Sequence, residues 1–142
     1  MADIKHSIQI AATPSALQSL IATASGFRQW WAEDVRETGA TVELAFFNRA
    51  TIYRLRLTAN APPGAADWVC ETGNEWAGTR IVFHPEATKA GTLLRFTHSG
   101  WPAESDYFVS CNTTWGDLMF RLKAAAEGKT PGPLFSRDGM AY

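Results

Sequence analysis

The chain has 142 residues, 13 basic and 14 acidic, for a formal charge of −1. That length suits one domain, able to bury roughly 68–70% of its unfolded surface. The even charge and the lack of any basic run argue against a nucleic-acid partner. No apolar stretch approaches a membrane span, and the N-terminus MADIKHSIQI lacks a signal-peptide layout, so a soluble cytoplasmic protein is expected.

Ile4, His6, Ile8 and Ile10 alternate with Lys5, Ser7 and Gln9, which predicts a half-buried first strand. Thr13-Pro14 then opens a short helix, Thr13 as cap and Pro14 at the first position, with Ala16, Leu17, Leu20 and Ile21 as its apolar side. Ser25-Gly26 ends it, and Phe27, Trp30 and Trp31 mark a second short helical turn.

From Val35 the period changes to two. Val42, Leu44 and Phe46 form one alternating set, and Tyr53, Leu55 and Leu57 the next. Further sets are Trp68, Cys70 and Thr72, then Ile81 and Phe83, then Leu94, Phe96 and His98. Turn signals separate them at Pro62-Pro63-Gly64, Gly73-Asn74 and Lys89-Ala90-Gly91. Consecutive strands with short turns predict an antiparallel sheet. Arg54 and Arg56 should face water and pair across strands with Glu43 and Glu71.

From about Glu104 to Glu127 the period becomes helical. Phe108, Cys111, Trp115, Leu118, Met119 and Leu122 share a stripe about 100° wide, enough to bury against a sheet. Glu104 and Asp106 suit the positive end of that helix, and Asp117 and Arg121 stand one turn apart on its wet face. Phe120 falls near the polar side. It predicts contact with the tail, through Leu134 and Phe135, or with a second copy of the chain as a homodimer; the plain alternative is a singly exposed aromatic. Gly128 to Tyr142 reads as a non-periodic tail.

The element order and several local phrases resemble the START-like helix-grip (SRPBCC) superfamily. Trp30-Trp31, the run Leu94-Arg95-Phe96-Thr97-His98-Ser99-Gly100-Trp101-Pro102, and Trp115-Gly116 through Leu122-Lys123 carry the likeness, which spans nearly the whole chain. The nearest branch is similar to the C-terminal domain of the heat-shock-90 chaperone ATPase activator, and polyketide cyclases and dehydrases share the fold. The implied fold class is α+β. A curved antiparallel sheet of about six or seven strands wraps a long C-terminal helix, with two short helices after the first strand. The whole chain, 1–142, forms one such domain, with 128–142 as its tail. Before its Trp-Gly step the last helix carries Tyr107 to Asn112, more apolar than is common in the family, which implies a ligand space of its own.

Six tryptophans are many for a chain this size, and each indole N–H needs a partner. They suggest a cavity wall or a dense core. The expected lining is Trp30, Tyr53, Trp68, Trp76, Phe96, His98, Phe108, Cys111 and Trp115, with Trp101 at the mouth. His98 is placed inward, as an acid/base group or polar anchor or as a histidine bonded to backbone. Tyr53 is its candidate catalytic partner. His6 shares the inward register and His84 points out. Cys70 and Cys111 match no redox or metal spacing and read as buried thiols, and no zinc-type spacing occurs, so neither a metal nor a cofactor is expected. Three functions remain open: a binder of a small apolar molecule, a cofactor-free cyclase or dehydrase, and a module that binds a chaperone ATPase.

Overall fold

A computed structural model describes residues 1–142. Strand β1 (Ala2–Ile10) leads into helices α1 (Pro14–Ala22) and α2 (Ala24–Phe27). Six strands follow in sequence: β2 (Asp34–Thr38), β3 (Thr41–Phe46), β4 (Thr51–Leu57), β5 (Ala66–Thr72), β6 (Arg80–Thr88) and β7 (Gly91–Trp101). Helix α3 (Asp106–Ala126) completes the fold. The seven strands form one antiparallel sheet in the order β1-β7-β6-β5-β4-β3-β2. Every pairing joins chain neighbours except β1 with β7, so hairpin formation alone lays out most of the sheet. Irregular register in β1, between Ala2 and Ile4, and in β4, between Arg54 and Leu55, bends those strands. The result is the α+β helix-grip architecture expected from the sequence, with α3 along β1 and across the inner face of the sheet.

The alternating positions divide as their chemistry requires. Ile4, Val42, Leu44, Leu55, Ile81, Phe83, Leu94 and Phe96 are buried. On the outer face Arg54 pairs with Glu43 at 3.4 Å and Arg56 with Glu71 at 3.3 Å. Both arginines are exposed, so each pair contributes a fraction of a kcal/mol at most, about 0–1.

The short helices are held from inside the core. A helix leaves its last four carbonyls without partners. Trp30 Nε1–H donates to the Leu20 carbonyl and Trp68 Nε1–H to the Ile21 carbonyl, both at 2.9 Å. Two indoles thus satisfy the C-terminal end of α1. Gly26 permits the close approach of α2, since a Cβ there would lie 1.9 Å from the Ser19 carbonyl oxygen. Thr13 precedes Pro14 as expected, yet its side chain makes no cap bond and meets the Ser15 hydroxyl at 3.0 Å.

Helix α3 buries Phe108, Cys111, Trp115, Leu118, Met119 and Leu122, the predicted stripe. Its cap is Ser105, whose Oγ accepts from the Phe108 N–H at 3.2 Å, rather than either neighbouring acid. At its far end Lys123 donates to the Gln9 carbonyl at 2.9 Å, and Glu127 accepts from the Ala11 N–H at 2.7 Å. Those bonds pin the helix to the end of β1.

Two expectations for the wet face of α3 change. Arg121 does not pair with Asp117. Its guanidinium donates to the carbonyls of Pro131 at 2.8 Å, Gly132 at 3.0 Å and Pro133 at 3.3 Å. A planar fork of donors finds in the folded-back tail a denser set of acceptors than one carboxylate offers. Phe120 is 66% exposed, and the tail's own apolar anchor, Leu134, is buried elsewhere, its N–H on the Trp30 carbonyl. The tail is therefore part of the folded domain, and Arg121 rather than Phe120 grips it. No helix is long and apolar enough to cross a membrane.

Candidate functional site

His98 lies on β7 under α3, with 0% of its surface exposed. Trp115 Nε1–H donates to its Nδ1 at 3.1 Å. The Thr79 hydroxyl donates to the Trp76 carbonyl at 2.6 Å and meets His98 Nε2 at 2.8 Å. Since the threonine proton is committed to the carbonyl, the Nε2 atom carries the imidazole proton and Nδ1 accepts. Every polar atom of the ring is used. Burial pushes the imidazole pKa down to about 3, so it is neutral at physiological pH. His98 has no lone pair left for a substrate and no path to solvent. It is a bonded core histidine, not an acid/base group beside Tyr53.

A cavity of about 320 Å³ opens beside this core, within the range of small-molecule sites. Helix α3 supplies one wall through Tyr107, Ser110, Cys111, Thr114, Trp115 and Leu118. Strands β3 and β4 and their turn supply Phe46, Phe47, Thr51 and Tyr53. The floor includes Trp31, Asn74 and Trp76, and the tail closes one side with Phe135 and Met140. None of these 15 side chains is ionisable at neutral pH as acid or base of full charge.

Four uncharged polar side chains, Thr51, Asn74, Ser110 and Thr114, stand among 11 hydrophobic ones on the wall. The hydroxyls of Tyr53 and Tyr107 bond to each other. The Tyr53 ring stacks on Trp76, centroids 4.1 Å apart and planes within 8°. Gly73, at φ +130°, makes room for that ring, because a Cβ there would stand 2.2 Å from Tyr53 Cδ1. Burial raises the pKa of both tyrosines and of Cys111, and it pushes Cys70 up to about 12. Both cysteines are free and buried. The Trp76 Nε1–H is buried without a sound hydrogen bond, although the Cys111 sulfur lies close enough to feel it. No three His, Cys, Asp or Glu side chains are grouped to hold a metal.

Of the ten residues expected to line a cavity, Tyr53, Trp76, Cys111 and Trp115 do so. Trp30, Trp68, Phe96, His98, Trp101 and Phe108 stand behind the wall as core, without a face on the cavity. Trp101 is fully buried rather than at a mouth. The reason is the width of the gap: where α3 lies directly on β7 the rings fill it, with Phe96 and Trp115 4.4 Å apart and Trp101 and Phe108 5.3 Å apart. Space remains only toward β3 and β4. His6 faces inward half-buried against Phe96, and His84 is exposed.

The chief lining residues missed from sequence are Tyr107, Trp31, Phe46 and Phe135. Tyr107 carried a readable signal. Tyr107, Cys111, Thr114 and Leu118 follow four-three-four spacing, a row beside the core row of Phe108, Trp115 and Leu122. The cavity lies under the edge of the apolar stripe, not its centre. Phe135 and Met140 carried no such signal, because the tail has no period.

No protein-family model and no curated protein sequence matches the chain. Solved structures do. A Bacillus halodurans protein, BH1534, superposes with a TM-score of 0.69 at 20% identity, covering 89% of this chain and 98% of its own. DynU16, from a dynemicin biosynthetic locus, gives a TM-score of 0.68 at 15% identity over 92% of this chain and 49% of its own, a likeness of fold alone. The Aha1 dimer from Colwellia psychrerythraea is much nearer in sequence. It is 31% identical over 90% of this chain and 98% of its own, with a TM-score of 0.78. Identity of that order, sustained along both chains in the same helix-grip arrangement, means that this chain belongs to the Aha1 family.

Proposed function

We propose that this protein binds a small, largely apolar molecule in the cavity between β3, β4, α3 and the tail. The observation that carries this reading is the wall itself: about 320 Å³ of space bounded mainly by aromatic and aliphatic groups, with no formal charge on it. Such a space stays poorly hydrated and favours apolar occupants. Cyclase or dehydrase chemistry finds less support, since His98 is neutral, sealed and fully bonded. The free thiols suit a reducing compartment such as the cytoplasm. The test is titration with the uncharged fluorophore N-phenyl-1-naphthylamine. Saturable micromolar binding, weakened at least about tenfold by Leu118→Trp, which fills the space, supports the reading. Absence of saturable binding refutes it.

A second reading is self-association, favoured by one surface. Val109 and Phe120 are both exposed on α3 and lie three turns apart on the same side. The Colwellia relative was solved as a dimer. Solution mass across a concentration series, with Phe120→Ser as the comparison, decides it. The family resemblance keeps a chaperone ATPase as another candidate partner, and adding the protein to such an ATPase and following its turnover tests that role.

A further inference from the structure

The Tyr53–Tyr107 pair holds more hydrogen-bonding capacity than it uses. Two phenols bring two protons, and their mutual bond consumes one. The other group within reach is the Cys111 thiol beside Tyr107, only a weak acceptor, so one O–H is left without an oxygen or nitrogen acceptor where Tyr53 and Tyr107 both face the cavity. Burial holds both phenols protonated, so the spare proton is present at any physiological pH. A donor at the edge of an apolar space is poorly satisfied until an acceptor arrives.

The surroundings select that acceptor's chemistry. No cationic side chain lies on the wall, so an anionic ligand would lose its hydration without a counter-charge. The nearest acid, Glu75, acts electrostatically on both Tyr53 and Cys111, and it is held by the Ser105 hydroxyl at 2.5 Å. Its charge disfavours a carboxylate further. The broad surfaces are flat rings: Trp76 and Trp115 lie within 19° of parallel, and Trp31 stands 4.9 Å from Trp115. Flat walls favour a flat guest in offset contact.

We propose that the ligand is an uncharged ring compound bearing a carbonyl, and that the unused O–H of the Tyr53–Tyr107 pair donates to that carbonyl. This rests on the apolar-ligand reading above and narrows it to a class. The tyrosines bind and orient, and no bond in the ligand is made or broken. Long-chain fatty acids and other carboxylates fall outside the class.

The experiment uses four naphthalenes of nearly equal shape: 2-acetylnaphthalene, 2-isopropylnaphthalene, 2-naphthoate and 2-(aminomethyl)naphthalene. Calorimetry measures each on the full chain and on the double variant Tyr53→Phe/Tyr107→Phe. The double variant is needed because either hydroxyl alone could still donate. The variant should bind the ketone about fivefold more weakly and the hydrocarbon as wild type does. Naphthoate should bind on the order of a hundredfold more weakly than the ketone. The infrared carbonyl stretch of bound 2-acetylnaphthalene should shift to lower frequency in wild type and return in the variant. Unchanged hydrocarbon affinity also shows that the variant's cavity is intact. Equal ketone affinity in both proteins, or naphthoate or the amine binding as tightly as the ketone, overturns the proposal and leaves an apolar site standing. Failure of all four to bind overturns both.

Discussion

The indole N–H of Trp115 donates to Nδ1 of His98 at 3.1 Å, joining the last helix to the last strand inside the core. From there the chain of bonds runs through Thr79 to the carbonyl of Trp76, whose ring forms part of the cavity wall. A polar thread of four residues therefore fixes the aromatic wall from behind. Removing one member leaves a buried polar group unsatisfied, which costs about 1–3 kcal/mol.

His98 should not titrate across the physiological range. Its folded pKa of about 3 lies below the ordinary 6.5, so the unfolded chain binds a proton that the native state refuses. Stability is full above about pH 6.5 and declines as pH falls toward 3, by up to about 1.4 kcal/mol per unit. Ring ¹⁵N shifts of His98 should stay constant from pH 8 to 5, with the proton on Nε2. Titration of that ring near 6.5 in the native protein would contradict the network. Urea unfolding at pH 7 and 5, before most carboxylates titrate, should show a smaller pH loss in His98→Gln than in wild type.

Leu118→Ala or Leu122→Ala should cost on the order of 2–5 kcal/mol, because both side chains are buried under the sheet. Phe120→Ala on the same helix should fall within about 0.5 kcal/mol, since its ring is mostly in water. Denaturant midpoints of the three variants check the predicted inequality between the two faces. Small losses at both leucines would mean that α3 is not packed as described.

The tail should behave as structure. Leu134 is fully buried, the Phe135 N–H donates to the Trp31 carbonyl at 3.0 Å, and Phe135 in turn accepts from the Glu33 N–H at 2.9 Å. Leu134→Ala should destabilise by about 2–5 kcal/mol. Removing residues 130–142 should lower the melting temperature and also weaken probe binding, because Phe135 and Met140 leave with it. An unchanged melting temperature would show that the docked tail contributes nothing.

Gly73→Ala should damage the site more than its size suggests. At φ +130° a side chain is strained, and the new Cβ would overlap the Tyr53 ring. About 1–3 kcal/mol of lost stability is expected, with displaced tyrosine and weaker probe binding. Probe titration beside thermal melting separates the two effects.

Neither thiol should react with Ellman's reagent in the native state at pH 8. Cys70 is held near 12 and Cys111 is also raised, so thiolate is scarce, and both sulfurs are buried. Reaction of both should appear in urea. Rapid native labelling of either would contradict the burial described.

Much of this fold follows from local pattern. Alternation of apolar and polar residues marks strands because successive side chains point to opposite faces, and the stripe from Phe108 to Leu122 marks a helix because it repeats every three or four. Those rules depend only on near neighbours in the chain, so the sequence by itself determined the element order, the inward faces and the α3 stripe. The tertiary structure decided what those faces meet. His98 points inward either way, but only the arrival of Trp115 and Thr79 occupies both its nitrogens. Trp30, Trp68 and Trp101 are as large and flat as Trp76, yet only Trp76 faces space. The cavity exists because α3 touches β7 and stands off β3 and β4, a matter of helix placement over a bent sheet. Arg121 could have paired with Asp117 one turn away, and instead holds the carbonyls of Pro131 to Pro133. A contact between distant segments is settled by competition among all available partners at once, and no local period in the sequence encodes the outcome.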